Sequence, residues 1–161
     1  MSNDVFAMLA STNLNDVDTS YPVLQGGVYE FEVKSASKET SERTGGEYLL
    51  FQCALITPDA VDINGNAISP GYSLRHMISL TPSEKQLLKK SEEECKQDAI
   101  KSVCQFLDAL MSERVWDETL ESYVGLTFFA KTRVGKERTD DRTGNVYPAS
   151  SEFASFLPAQ G

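Results

Sequence analysis

The segment "VYEFEVKSASKETSERTGGEYLLFQCALIT", Val28–Thr57, holds two apolar alternations separated by a polar run that ends on paired glycines. In the first, Tyr29, Phe31 and Val33 fall on one face and Glu30, Glu32 and Lys34 on the other, the period-two pattern of a half-buried strand. Gly45 and Gly46 supply the positive φ that a hairpin turn requires. In the second, Leu49, Phe51, Cys53 and Leu55 share one face, while Tyr48, Leu50, Gln52, Ala54 and Ile56 share the other. A strand apolar on both faces belongs in the middle of a sheet. This hairpin sets the fold class as mainly β.

Downstream, "PDAVDINGNAISPG" is a loop with an Asn-Gly turn. Its "DINGN" departs from a calcium loop, because Ala67 and Ser73 stand where that loop needs Gly and Glu. "YSLRHMISL" predicts a third strand, with Tyr72, Leu74, His76 and Ile78 on one side and Arg75 and Met77 on the other. A helix then opens at Thr81 as N-cap, with Pro82 first and Glu84 closing a capping box. Ser91 and Glu94 form a second box, so a break near Ser91 is expected. Beyond it Ala99, Ile100, Val103, Phe106, Leu107 and Leu110 make one apolar stripe along a helix of about five turns. "LTFFAKTRV" reads as a fourth strand, with Phe128, Ala130 and Val134 inward and Phe129, Lys131 and Arg133 outward. The tip "GKERTDDRTGN" leads into "VYPASSEFASF", a fifth strand interrupted by Pro148, which confines it to an edge or bulge. Upstream, residues 1–22 form a polar arm with a short helical turn at Val5–Leu9. The expected domain runs from 23 to 158, with 159–161 as a short tail.

Five strands with a long helix between the third and fourth is the order of an OB-fold, a partly open Greek-key barrel. In that order the two tips that share Lys-Glu and Arg-Thr-Gly, "KETSERTGG" and "KERTDDRTGN", join strands one to two and four to five. Those loops flank the groove that OB-folds use for oligonucleotides. Single-stranded nucleic acid is held by cations that track phosphates and by rings on which bases stack. Phe129 beside Lys131 and Arg133 offers both on one strand. Tyr48 and Arg75 extend this surface, Lys38, Arg43, Lys136, Arg138 and Arg142 are the cations expected to close over the strand, and Tyr147 offers another ring. The expected ligand is therefore a single-stranded nucleic acid.

The formal net charge of −9 argues against indiscriminate attachment to nucleic acid or anionic membrane. The sum hides a pattern. Ser83–Glu121 holds ten acids and six bases, and Met1–Gln25 three acids and no base, whereas Leu126–Tyr147 holds five bases and three acids. Local charge is what counts within a Debye length of about 8 Å. No apolar run reaches the roughly 20 residues that span a bilayer, and the first residues do not read as a secretion signal. Cys53, Cys95 and Cys104 form no CxxC pair and are expected as reduced thiols in a cytoplasmic compartment. His76, the single histidine, leaves a zinc site without candidates. With no phosphate loop and no nucleophile elbow, neither enzyme activity nor a cofactor is expected. The residues leave one alternative open, a protein-interaction or virion-structural module on the same barrel, and a smaller one, a magnesium nuclease using scattered carboxylates.

The progression "GGVYEFEV…SERTGGEYLLFQCAL", "FLDAL", "YVGLTFFAKTRV" and "TGNVYPASSEFASFLP" resembles the small single-stranded DNA-binding proteins of bacteriophage replication modules, over about Gly26–Pro158. The resemblance implies an OB-fold that coats exposed strands during replication or recombination, without catalysis or cofactor, in the host cytoplasm. It implies contacts at Tyr48, Phe129, Lys131, Arg133 and the tip cations. Many such proteins end in an acidic tail that recruits partners, whereas this chain ends "EFASFLPAQG". Recruitment of phage or host replication proteins would fall instead to the acidic helix or the N-terminal arm, and the helix is a candidate homodimer face.

Overall fold

The computed structural model describes residues 5–13, 15, 22–69, 71–136, 138–139, 143–144, 146–147 and 150–159. In chain order these form α1 (Val5–Ser11), β1 (Gly27–Thr40), β2 (Glu47–Leu55), β3 (Ser73–Ser79), α2 (Glu84–Leu87), α3 (Glu92–Leu110), a 3₁₀ turn (Glu121–Tyr123), β4 (Thr127–Val134), β5 (Arg138–Thr139), β6 (Val146–Tyr147) and β7 (Ser151–Phe156). Five strands make one antiparallel sheet in the order β3-β2-β1-β4-β7, which curls into a nearly closed barrel as β3 and β7 approach each other. β5 and β6 form a separate two-stranded ribbon.

The alternations in the first hairpin are those of the structure. Phe31 and Val33 on β1, and Leu49, Phe51, Cys53 and Leu55 on β2, are buried. The turn between them reverses at Gly45, whose φ of 73° lies in the left-handed region that favours glycine, whereas Gly46, expected to share that role, does not take a positive φ. β1 carries a bulge between Val33 and Ser35 in its pairing with β2. An extra residue bends a strand and increases its twist. There the chain entering β4 docks on β1, as Gly125 N donates to Val33 O and Val33 N to Leu126 O. Gly125 makes the preceding turn with a φ of 91°.

α3 seals the barrel with Phe106, Leu107, Ala109 and Leu110. Phe106 lies 4.6 Å from Phe51, 4.9 Å from His76, 5.2 Å from Phe156 and 5.3 Å from Phe128, measured between ring centroids. The expected break at Ser91 is present, and the Ser91 side chain caps α3 by accepting from Glu94 N. Ser91→Ala should cost about 1 kcal/mol, read as a lower urea midpoint at unchanged slope.

Four expectations need correction. The cap of the first helical segment is Ser83, boxed with Gln86, rather than Thr81 with Glu84. Thr81 is engaged elsewhere, because its hydroxyl accepts from Glu47 N at the start of β2. Val134 is 38 % exposed, since β1 ends opposite Thr132 and leaves nothing to cover the last turn of the alternation. Thr132 takes the inward place, with its hydroxyl donating to Gly27 O. Ile100, placed on the helical stripe, is exposed. The fifth strand is two pieces: residues 146–147 pair with β5 in the ribbon, and only Ser151–Phe156 joins the barrel. Pro148 lies outside the described residues. Cys53 and Cys95 are buried free thiols, and Cys104 is a partly buried one. Among the described residues no helix is long and apolar enough to cross a membrane.

Candidate nucleic-acid interface

β4 pairs with β1 through Phe128↔Phe31 and Phe129↔Glu30, and this register decides which phenylalanine turns outward. Phe128 is buried against Phe31, and Phe129 is 49 % exposed on the outer face. Lys131 and Arg133 follow on that face and are exposed. Exposed Val28 stands opposite Lys131, so ring, aliphatic side chain and cation form a short strip across β1 and β4. Lys131 has no ion pair among the described residues. Arg133 is committed, because its Nε lies 2.9 Å from Glu152 Oε1 on β7. Glu30 opposite Phe129 and Glu32 farther along β1 bring negative charge to the same face.

A second group sits on the outer face of β2 and β3. There Tyr48 and Leu50 are half-buried, Arg75 and Met77 are exposed, and the register sets Leu50 against Met77 and Gln52 against Arg75. β1 separates this group from the β4 strip in the sheet order. Arg75 has no ion pair among the described residues.

The two tips are not brought together by the register. The first leaves the Thr40 end of β1, where Thr40 pairs with Glu47. The second leaves the end of β4 beside Gly27, at the opposite end of that strand. At about 3.3 Å per residue the two ends are on the order of 40 Å apart along the strand. Loops so placed can bound a groove that crosses the strands. Lys38 is a strand residue held by Glu47 at 3.1 Å. Arg43 in the first turn and Lys136 after β4 are exposed and have no ion pair among the described residues. Arg138 and Tyr147 are register partners in the β5–β6 ribbon. Arg142 lies outside the described residues.

Reading along the strand identified Phe129, Lys131, Arg75 and Met77 as outward, which alternation alone reveals. It did not join Val28 to Lys131 or Gln52 to Arg75, because cross-strand neighbours follow from register and bulges. His76 lies inside the aromatic cluster, near Phe51, Phe106, Phe153 and Phe156. Burial lowers its pKa from 6.5 to about 4. Among the described residues no group of His, Cys, Asp and Glu is arranged to hold a metal ion.

Fold and surface together define a class no narrower than an antiparallel five-stranded barrel with a mixed aromatic and cationic outer face. No protein-family model matches the chain, and no curated protein matches it in sequence.

Proposed function

We propose that this barrel is an OB-fold and that the chain binds single-stranded DNA without sequence specificity, coating exposed strands without catalysis. The observation that carries the reading is Phe129, half-exposed on the outer face of β4, with the exposed ammonium of Lys131, which has no ion pair among the described residues, two residues farther on. A large ring at that position gains nothing from the barrel core and is available to a base, since every base has a π-face. The resemblance to phage replication-module proteins supports a role in phage replication or recombination. Because Arg133 is held by Glu152 and Lys38 by Glu47, Lys131, Arg75, Arg43 and Lys136 are the stronger phosphate partners in this reading.

Anisotropy of a labelled oligo-dT at two salt concentrations tests it. Binding should weaken as salt rises, with a log–log slope reduced by about 0.7 for each phosphate contact removed, as in Lys131→Glu. Phe129→Ala should lose about 1–3 kcal/mol, roughly fivefold to 150-fold in Kd, with the slope unchanged. Absence of binding at about 50 mM salt and micromolar protein would remove the reading, since that is where the electrostatic contribution is strongest.

A second reading is favoured by α1, where Val5, Phe6, Met8 and Leu9 are all exposed on a seven-residue helix. Such a surface fits an assembly module without nucleic acid. Removal of residues 1–13 would then change the oligomeric state in size-exclusion chromatography, and no form of the chain would shift oligo-dT.

A further inference from the structure

The segment between α3 and β4 carries the single tryptophan of the chain, and it is held outward. Trp116 is 55 % exposed, as are its neighbour Val115 and, past the 3₁₀ turn, Val124 to similar degrees. The exposure is not looseness. The Tyr123 hydroxyl, on a fully buried ring, donates to Val115 O at 2.6 Å and accepts from Asp117 N at 2.8 Å. It therefore clamps the backbone on both sides of Trp116. The indole lies against the Tyr123 ring, with centroids 6.3 Å apart. The Asp117 carboxylate accepts from the backbone and hydroxyl groups of both Thr119 and Ser122, which fixes the rest of the loop and holds this carboxyl well below the usual carboxylate range.

Around this apolar knob the charge has one sign. Glu113, Glu118 and Glu121 are exposed and have no ion pair among the described residues. The base within the segment, Arg114, is neutralised by a bidentate pair with Asp108 at 2.7 and 2.9 Å, and Lys34, on β1 beside the turn after Val124, is paired with Glu32. Rigid, half-exposed tryptophan inside a polar rim is the form that binding anchors take, because little conformational freedom is lost on contact. The charge selects the occupant. The chain's own arm carries three acids and no base over Met1–Gln25, so the rim repels it. An isologous contact with a second copy would set glutamate rim against glutamate rim.

We propose that Trp116, with Val115 and Val124, anchors a docking surface for a partner protein segment in which an apolar side chain is flanked by lysines or arginines. The surface lies at the start of β4, whereas Lys131 and Arg133 lie towards its end, so a partner and a polynucleotide can be held together. The inference stands whether or not oligo-dT binds.

Because Trp116 is the only tryptophan, its emission reports the contact directly in the full chain. The probe is a synthetic Lys-Lys-Phe-Leu-Lys-Lys peptide, with the same peptide carrying Glu for Lys as control. The lysine peptide should shift the emission to the blue and saturate, while the glutamate peptide should not. The combined variant Glu113→Lys, Glu118→Lys, Glu121→Lys should weaken binding about tenfold or more, and Trp116→Ala should do the same when a dye-labelled peptide is read by anisotropy. Glu92→Lys, Glu93→Lys, Glu94→Lys on α3 should change affinity less than about twofold, which separates this surface from general acidity. Far-UV circular dichroism and the melting temperature check that each variant is folded. Equal binding by the rim variant, equal binding of the glutamate peptide, or no emission change at millimolar lysine peptide overturns the proposal. So does a blue emission of the protein alone that reddens on dilution or on removal of residues 1–13, since a second copy or the arm would then be the cover.

Discussion

Phe106→Ala should destabilise the fold by about 3–5 kcal/mol. The side chain is 1 % exposed and meets rings from β2, β3, β4 and β7. It is therefore the point at which α3 is fastened to four strands together. Removing it forfeits transfer energy and leaves a cavity that rigid neighbouring rings cannot fill by small shifts. Urea unfolding of the variant should show a much lower midpoint at a similar slope. Phe106→Leu, which keeps most of the volume, should cost less than about 2 kcal/mol. A loss below about 1 kcal/mol for the alanine variant would mean that α3 is not part of the cooperative unit.

The second large effect is a pH dependence set by His76. Its imidazole is partly buried against aromatic rings, and burial lowers its pKa from 6.5 to about 4. In the unfolded chain it titrates near the ordinary value. Between those two values the unfolded state binds more protons than the folded state, so stability present above about pH 6.5 is lost as the pH falls towards 4. One pKa unit corresponds to about 1.4 kcal/mol, so the loss is roughly 3 kcal/mol. Asp98 and Cys95 line the same cavity, of about 200 Å³, and the Asp98 carboxylate is held by Lys90 at 2.6 Å. His76→Phe keeps a ring and removes the proton site. The stability difference between parent and variant, measured from pH 7 to pH 4, should track that loss, and parallel pH curves would contradict it.

What was legible in the chain is what local pattern encodes. Period-two alternation placed Phe31, Val33, Leu49, Phe51, Cys53 and Leu55 inside, because nothing but burial selects that spacing in a strand. Ser91 announced the start of α3, since an N-cap acts within its own turn. Ser83 was not recognised because Thr81, two residues earlier, has the same chemistry, and its hydroxyl is taken by Glu47 from a strand 34 positions away. Val134 and Ile100 were misplaced for a related reason: periodicity tells which side a residue is on, and only the tertiary neighbour decides whether that side is covered. The candidate surface was legible in kind and not in arrangement. Alternation turned Phe129 and Lys131 outward, but Glu152 on Arg133 and Glu47 on Lys38 are contacts of register. The shared Arg-Thr-Gly of the two tips likewise describes their chemistry without revealing that they leave opposite ends of β1.

Four of the barrel's junctions are hydrogen-bonded ladders, whereas β3 and β7 are joined by His76, Phe106, Phe153 and Phe156 without a ladder among the described residues. A ladder yields one directional bond at a time and resists shear. Ring contacts let go gradually and tolerate sliding. The barrel therefore has a seam between β3 and β7 that side chains close in place of backbone pairing among the described residues. Amide exchange should begin along β3 and β7 well before it reaches β1.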